Sequence, residues 1–182
     1  DLLYPTNFLR NVAIDFASTK YIILLEADMI IPKYLRKNLM RHLRMGHIGS
    51  NINTAYILPL WYYNGPAMSV KNNIPGTKIE LNKKHYFPCP YDSHKFMNYS
   101  SWMQLSSSKP IKLPTYKHGL QMNQEGQLLY GYEPYVLVNR ASIPRFQESI
   151  KCFADKVNML SAMTICSNFE YWVFTDVYIV NY

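Results

Sequence analysis

The run Tyr21-Ile22-Ile23-Leu24-Leu25 constrains this chain more than any other stretch. It is apolar without a break and of strand length, and a strand apolar on both faces needs a layer on each side of its sheet. It is therefore read as a central strand of a covered parallel sheet. A helical pattern precedes it. Pro5-Thr6-Asn7 offers the start, and Phe8, Leu9, Val12, Ala13, Phe16 and Ala17 form one apolar stripe that ends at Ser18-Thr19-Lys20. Pro32 suits the first turn of a second helix running to about Met45, with Gly46 at its end. Within it Leu35, Leu39 and Leu43 recur at a spacing of four, so the cations from Lys33 to Arg44 read as its solvated face. Ala55 to Leu60 is the next strand candidate. The order helix, strand, helix, strand argues for an α/β layer.

The stretch 64–127 is irregular and rich in Pro, Asn, Ser and Lys, and a connection this long inside a domain is usually functional. Tyr130 to Val138 returns to a strand pattern, Lys156 to Cys166 to a helical one, and Tyr171 to Val180 to a closing strand. There is no internal repeat and no linker, and 182 residues suffice for one domain. With 48% hydrophobic and 17% charged residues, the composition excludes a disordered chain. The first residue is not Met and lies in the approach to a helix, which reads as a piece of something longer.

The formal charge of +7 favours anionic partners. No zinc-finger spacing, RNP-like strand or Arg-rich arm accompanies it, so no nucleic-acid partner is expected. No apolar run reaches the length of a membrane span, and the first residues are not a signal peptide. Cys89, Cys152 and Cys166 have no metal-binding spacing and allow either one disulfide or none. His42, His47, His85, His94 and His118 lack zinc spacing, and no nucleophile elbow, Walker loop or dinucleotide fingerprint occurs.

What remains is Glu26-Ala27-Asp28, where the first strand leaves its sheet. Open α/β sheets bind ligands at such strand ends. Alternation in an extended segment would send both carboxylates to one side. Hard oxygen ligands of this kind suit Mg²⁺ or Mn²⁺ with phosphates completing the shell. The same spacing also serves a capping or surface pair.

Further blocks accompany the acidic triplet. They are Tyr4-Pro5-x-Asn7-x-Leu9-Arg10-Asn11-x-Ala13, Ala55 to Pro59, Lys78 to Leu81, Pro88-Cys89, Asn98-Tyr99-Ser100-x-Trp102, Glu133-Pro134-Tyr135 and Ile143-Pro144-x-Phe146-x-Glu148. In these blocks and their order the chain resembles glycosyltransferase family 49, the LARGE-like and β-1,4-glucuronyltransferase-like enzymes that modify dystroglycan. The resemblance implies a GT-A-type α/β fold, here partial and lacking its amino-terminal strands. Residues 1–60 would end the donor-binding sheet and 61–182 would form the acceptor side of a single domain. It also implies inverting, metal-dependent transfer of a glucuronic acid or xylose class sugar from a UDP-sugar to a glycan or glycoprotein acceptor.

On this resemblance Asp28 and Glu26 hold Mn²⁺ or Mg²⁺ and the donor, Asn181 completes the metal site, and Glu148 is the base. Trp102, Tyr135 and Phe146 are candidates for stacking on sugars, and Arg10 and Asn11 for supporting the donor loop. The Asn98 sequon becomes a glycosylation site in the Golgi lumen, with a type II membrane anchor outside this chain. Three positions depart from the family pattern: Glu26 replaces an Asp, Asn181 replaces a His, and Phe153-Ala154-Asp155-Lys156 lacks the Gly of the donor-facing turn. These departures support an alternative expectation, a catalytically silent homologue that binds a glycan or a partner protein.

Overall fold

The computed structural model describes residues 5–65, 74–82, 85–88, 99–105, 109–113, 134–149 and 168–181. Asn98, the three cysteines, His94, His118, the 153–156 turn and the expected helix at 156–166 lie outside these residues. The described elements follow the order α1 (Thr6–Phe16), β1 (Tyr21–Ile23), β2 (Met29–Ile30), α2 (Leu35–Arg44), β3 (Thr54–Leu58) and β4 (Leu60–Tyr63). A 3-10 turn at Lys78–Asn82 leads to β5 (Tyr86–Pro88), α3 (Tyr99–Gln104), β6 (Ile111–Lys112), β7 (Tyr135–Asn139), β8 (Glu170–Val173) and β9 (Ile179–Asn181).

The strands form two mixed sheets, ordered β1-β7-β3-β8-β6 and β2-β9-β4-β5. Among the described residues only β3–β8 and β4–β9 are parallel pairs. Both crossings between sheets have a local cause. Pro59 has no N–H for the ladder, so the expected strand from Ala55 to Leu60 ends at Leu58 and resumes as β4 in the second sheet. The expected closing strand Tyr171–Val180 also divides, into β8 and β9, here without a proline at the break. Between them Asp176 turns toward α2, where its carboxylate meets His42 Nε2 at 2.7 Å and is paired with Arg41. His42 is fully buried, a role that helical spacing alone does not reveal.

The first sheet is covered on both faces, as an α/β layer requires. Ala55, Ile57, Val136, Val138, Tyr171 and Val173 pack with Ile14 of α1 and Trp102 of α3. The alternate residues Tyr56, Leu58, Tyr135 and Leu137 pack with Leu35, Leu39 and Leu43 of α2. Each such aliphatic or aromatic side chain contributes about 1.5–3 kcal/mol on burial. Helix α2 ends as its sequence suggests. Gly46 takes φ +68°, its N–H donates to Leu43 O, and the His47 N–H donates to His42 O. This paired closure satisfies carbonyls that the helix would otherwise leave open.

Two expectations need correction. First, β1 is an edge strand among the described residues, paired antiparallel with β7 over Tyr21–Ile23 only. Leu24 and Leu25 leave the ladder and line a pocket instead. Second, α1 does not bury its apolar stripe. Its buried residues are Asn7, Asn11 and Ile14, while Phe16 is 86% exposed and Phe8 and Leu9 are also exposed. Hydrogen bonding decides the orientation. Asn7 Nδ2 donates to Gln147 O (2.8 Å), and Asn11 exchanges two bonds of 2.9 Å with the backbone of Phe146. Two amides one helical turn apart thus pin α1 to the 146–148 segment. No helix of the described residues is long and apolar enough to cross a membrane.

Candidate functional site

The acidic triplet lies where the two sheets meet. After β1 the chain does not stay extended: the Met29 N–H donates to Glu26 O at 3.1 Å, closing a tight turn over residues 26–29. The turn gives its two carboxylates to different sheets. Glu26 belongs to the first, because the hydroxyl of Tyr135 on β7 donates to Glu26 Oε2 at 2.7 Å. Asp28 belongs to the second, because Asn181 on β9 donates through Nδ2 to Asp28 Oδ2 at 3.1 Å. The register that pairs Met29 with Asn181 fixes this second contact.

Glu26 is also approached by Arg10 of α1, with Nη2 3.7 Å from Oε1. Since Glu26 is 43% exposed, this ion pair orients more than it stabilises. Arg10 is braced in turn by Asn7 Oδ1 (3.2 Å) and lies over the Phe146 ring (5.1 Å). Burial, and then the Glu26 carboxylate, hold the Tyr135 phenol well above its ordinary value, so Tyr135 stays a donor across the usable pH range.

A pocket of about 410 Å³ opens beside Glu26. Leu9, Arg10 and Ala13 of α1, Leu24 to Ala27, and Tyr135 and Val136 of β7 line it, with Phe146 and Ile143 among the deeper walls. Leu9 and Ala13 of the apolar stripe of α1 therefore face this cavity. Glu148 lies just beyond it, exposed, with Oε1 accepting from Asn11 Nδ2 at 2.8 Å. Asn11 thus links Glu148 to the helix that also carries Arg10.

Of the aromatic candidates, Trp102 is core: its ring is buried and its Nε1 donates to Phe174 O at 2.6 Å. Tyr135 and Phe146 are buried as well, yet both touch the pocket. The link from Arg10 to Glu26 is not visible from spacing, although both residues stand in the blocks that carry the resemblance. Among the described residues no group of three or more His, Cys, Asp or Glu is gathered to hold a metal. At the turn the acidic pair is joined by the Tyr135 hydroxyl on Glu26 and the Asn181 amide on Asp28.

The sequence matches the family model described as glycosyl-transferase for dystroglycan over residues 1–181. It is 26% identical over 189 aligned positions to the glycosyltransferase-like protein gnt14 of Dictyostelium discoideum, covering 98% of this chain and 26% of that protein. The chain thus spans about a quarter of the length of that relative. With the match running over nearly every residue, the chain belongs to the family described as glycosyl-transferase for dystroglycan.

Proposed function

We propose that this chain carries the metal-binding and acceptor-activating part of a GT-A-type glycosyltransferase. The enzyme moves a sugar of the glucuronic acid or xylose class from a UDP-sugar to a glycan or glycoprotein acceptor, with inversion. One observation carries the reading: the turn 26–29 sets Glu26 at the lip of a pocket and Asp28 against Asn181. The donor set suits a hard divalent cation, because Mg²⁺ and Mn²⁺ take one or two carboxylates and leave the remaining positions to substrate phosphates. Asp28 is the direct ligand; the Asn181 amide, whose N–H faces Asp28, would turn over to offer its carbonyl oxygen to the cation. When bound, the cation offsets the charge that develops on the departing diphosphate.

The chain's own groups supply the rest. Tyr135 and Arg10 hold the Glu26 carboxylate in one orientation, fit for the hydroxyls of the donor ribose. Arg10 adds a positive charge to the pocket wall, as an anionic donor needs. Glu148 takes the proton of the acceptor hydroxyl, and Asn11 fixes the rotamer in which it does so. An inverting displacement requires that base on the side opposite the leaving UDP. Residues 1–60 serve the donor and 61–182 the acceptor. The site of action is the Golgi lumen, with the anchor in a segment outside this chain.

A second reading has one specific observation behind it. Both carboxylates already have partners without a cation: Asp28 has Asn181, and Glu26 has Tyr135 and Arg10. A silent homologue that binds a glycan or a partner protein would keep them so. Calorimetry with Mn²⁺ and a UDP-sugar hydrolysis assay on the full-length protein separate the two. The transferase reading expects Mn²⁺ binding and turnover, both lost in Asp28→Asn. Turnover that appears only when Glu26→Asp and Asn181→His are combined supports the silent reading, and a wild type that binds neither UDP nor Mn²⁺ ends the transferase reading.

A further inference from the structure

The second sheet carries a row of side chains that starts at the acidic turn and ends in two aromatic rings, which neither the turn nor the pocket accounts for. Met29, Asn181, Tyr62 and Phe87 stand in register across β2, β9, β4 and β5. Residues opposite one another in a ladder share a face, and the contacts agree. Asn181 Nδ2 lies 3.8 Å from Met29 Sδ, and the Tyr62 and Phe87 rings are near-parallel (17°) with centroids 5.8 Å apart. The alternate residues Trp61, Tyr63 and Val180 are buried on the opposite face. One rung along, Leu60 and Ile179 pack into the core beneath α2. The row is therefore the point where this face emerges from the core: Phe87 is 39% exposed and Tyr62 is partly so.

The row runs into the candidate site. Its Asn181 donates to Asp28, and its Met29 closes the acidic turn by donating through N–H to Glu26 O. No residue of β2, β9, β4 or β5 lines the pocket beside Glu26. The acidic turn consequently has two flanks of different character. One is a pocket with Arg10 in its wall; the other is a sheet face that ends in the half-buried Tyr62 ring and the exposed Phe87 ring.

We propose that Tyr62 and Phe87 form a stacking platform for one pyranose ring of the acceptor glycan, beyond the unit that reacts. This rests on the proposed function for the identity of the acceptor, but not for the binding itself. A pyranose presents C–H groups on one ring face and hydroxyls at its rim. The electron-rich face of an aromatic ring attracts those polarised C–H groups, and the Asn181 amide, next to Tyr62 in the row, can meet a hydroxyl. A nucleotide fits this flank less well, because its phosphates need cationic complement. Among the described residues of the row there is none, whereas the other flank has Arg10.

Saturation-transfer NMR on the full-length protein, with neither nucleotide nor metal, tests the platform. Methyl β-D-xylopyranoside and methyl β-D-glucuronopyranoside are the probes. The platform predicts saturation strongest on the C–H groups of one ring face. Phe87→Ala should weaken binding about three- to tenfold, the range of one aromatic contact, and Phe87→Tyr should restore it. Phe87 is exposed on a short strand, so its truncation leaves the fold intact; Tyr62→Ala, which is more buried, is read against circular dichroism. The inference is overturned if neither glycoside receives saturation from the wild type, or if Phe87→Ala binds them equally well. It is also overturned if Phe87→Ala weakens UDP binding and leaves the glycosides untouched. A protein that binds the glycosides through Phe87 yet transfers nothing supports the platform and refutes the transferase reading.

Discussion

Asn11 is the residue at which the architecture can be tested most directly. Its side chain is almost fully buried and makes three hydrogen bonds: Oδ1 accepts from Phe146 N–H (2.9 Å), and Nδ2 donates to Phe146 O (2.9 Å) and Glu148 Oε1 (2.8 Å). Asn11→Ala leaves the buried N–H and C=O of Phe146 without these partners, at about 1–3 kcal/mol each. Asn7 still holds Gln147 O at 2.8 Å, so the segment is not released. Some water can also enter the space left by the amide. The expected loss is therefore about 2–4 kcal/mol.

Asn11→Asp keeps the acceptor for Phe146 N–H but turns a carboxylate toward Phe146 O and Glu148. Both neighbours raise the pKa of the new Asp in the folded state. A folded-state value above the unfolded one means that the folded protein binds the proton more tightly. The Asp variant should therefore be least stable near pH 7 and should recover as pH falls toward 4, while the Ala variant keeps a constant deficit. Urea unfolding of the full-length protein at pH 7 and pH 4, followed by tryptophan fluorescence, measures both deficits. An Ala variant within about 0.5 kcal/mol of wild type would refute this account of how α1 is held. So would an Asp deficit equal at the two pH values.

Three further outcomes follow from single contacts. Gly46→Ala has open space for its Cβ but must adopt φ +68°, so it should cost about 1 kcal/mol and lower the melting temperature by about 2–4 °C. Lys78→Met removes the ammonium that donates to the carbonyls of Trp102, Leu105 and Thr175, and thermal melts should show a loss of about 2–3 kcal/mol that Lys78→Arg does not fully repair. The Asp15 carboxylate, held below its ordinary 3.8 first by its hydrogen bonds to Arg145, contributes above that value and loses its contribution as pH falls through the lowered one. Asp15→Asn should thus differ slightly from wild type at pH 7, less in high salt, and not at all in strong acid.

What the sequence conveyed depended on the range of the interaction involved. Gly46 ended α2 as expected because the closing bonds, to Leu43 and His42, lie within one turn. Strands β3 and β7 were legible because burial on both faces leaves a continuous apolar run. The same logic misplaced β1. Apolar residues report that a segment is covered without saying by what, and Leu24 and Leu25 are beside a pocket rather than within a ladder. On α1 the apolar pattern pointed away from the contacts that fix the helix, since Asn7 and Asn11 are held by partners about 140 and 135 positions distant.

The candidate site follows the same rule. Glu26 and Asp28 stand out in sequence as a pair, but they are a pair only in the chain. Tyr135, 109 positions away, ties one to the first sheet, and Asn181, 153 positions away, ties the other to the second. The separation of the two carboxylates is therefore set by how the sheets pack, through the strand crossings at Pro59 and at 174–178. On the proposed metal-binding reading, a substitution at either crossing should disturb cation affinity without changing Glu26, Asp28 or Asn181. Phe174, fully buried between His42 and Tyr56, is the position to try. Phe174→Leu, with Asp28 and Glu26 both unsubstituted, should weaken Mn²⁺ binding in calorimetry. Unchanged affinity in a destabilised variant would show that the turn holds its own geometry and the sheets do not.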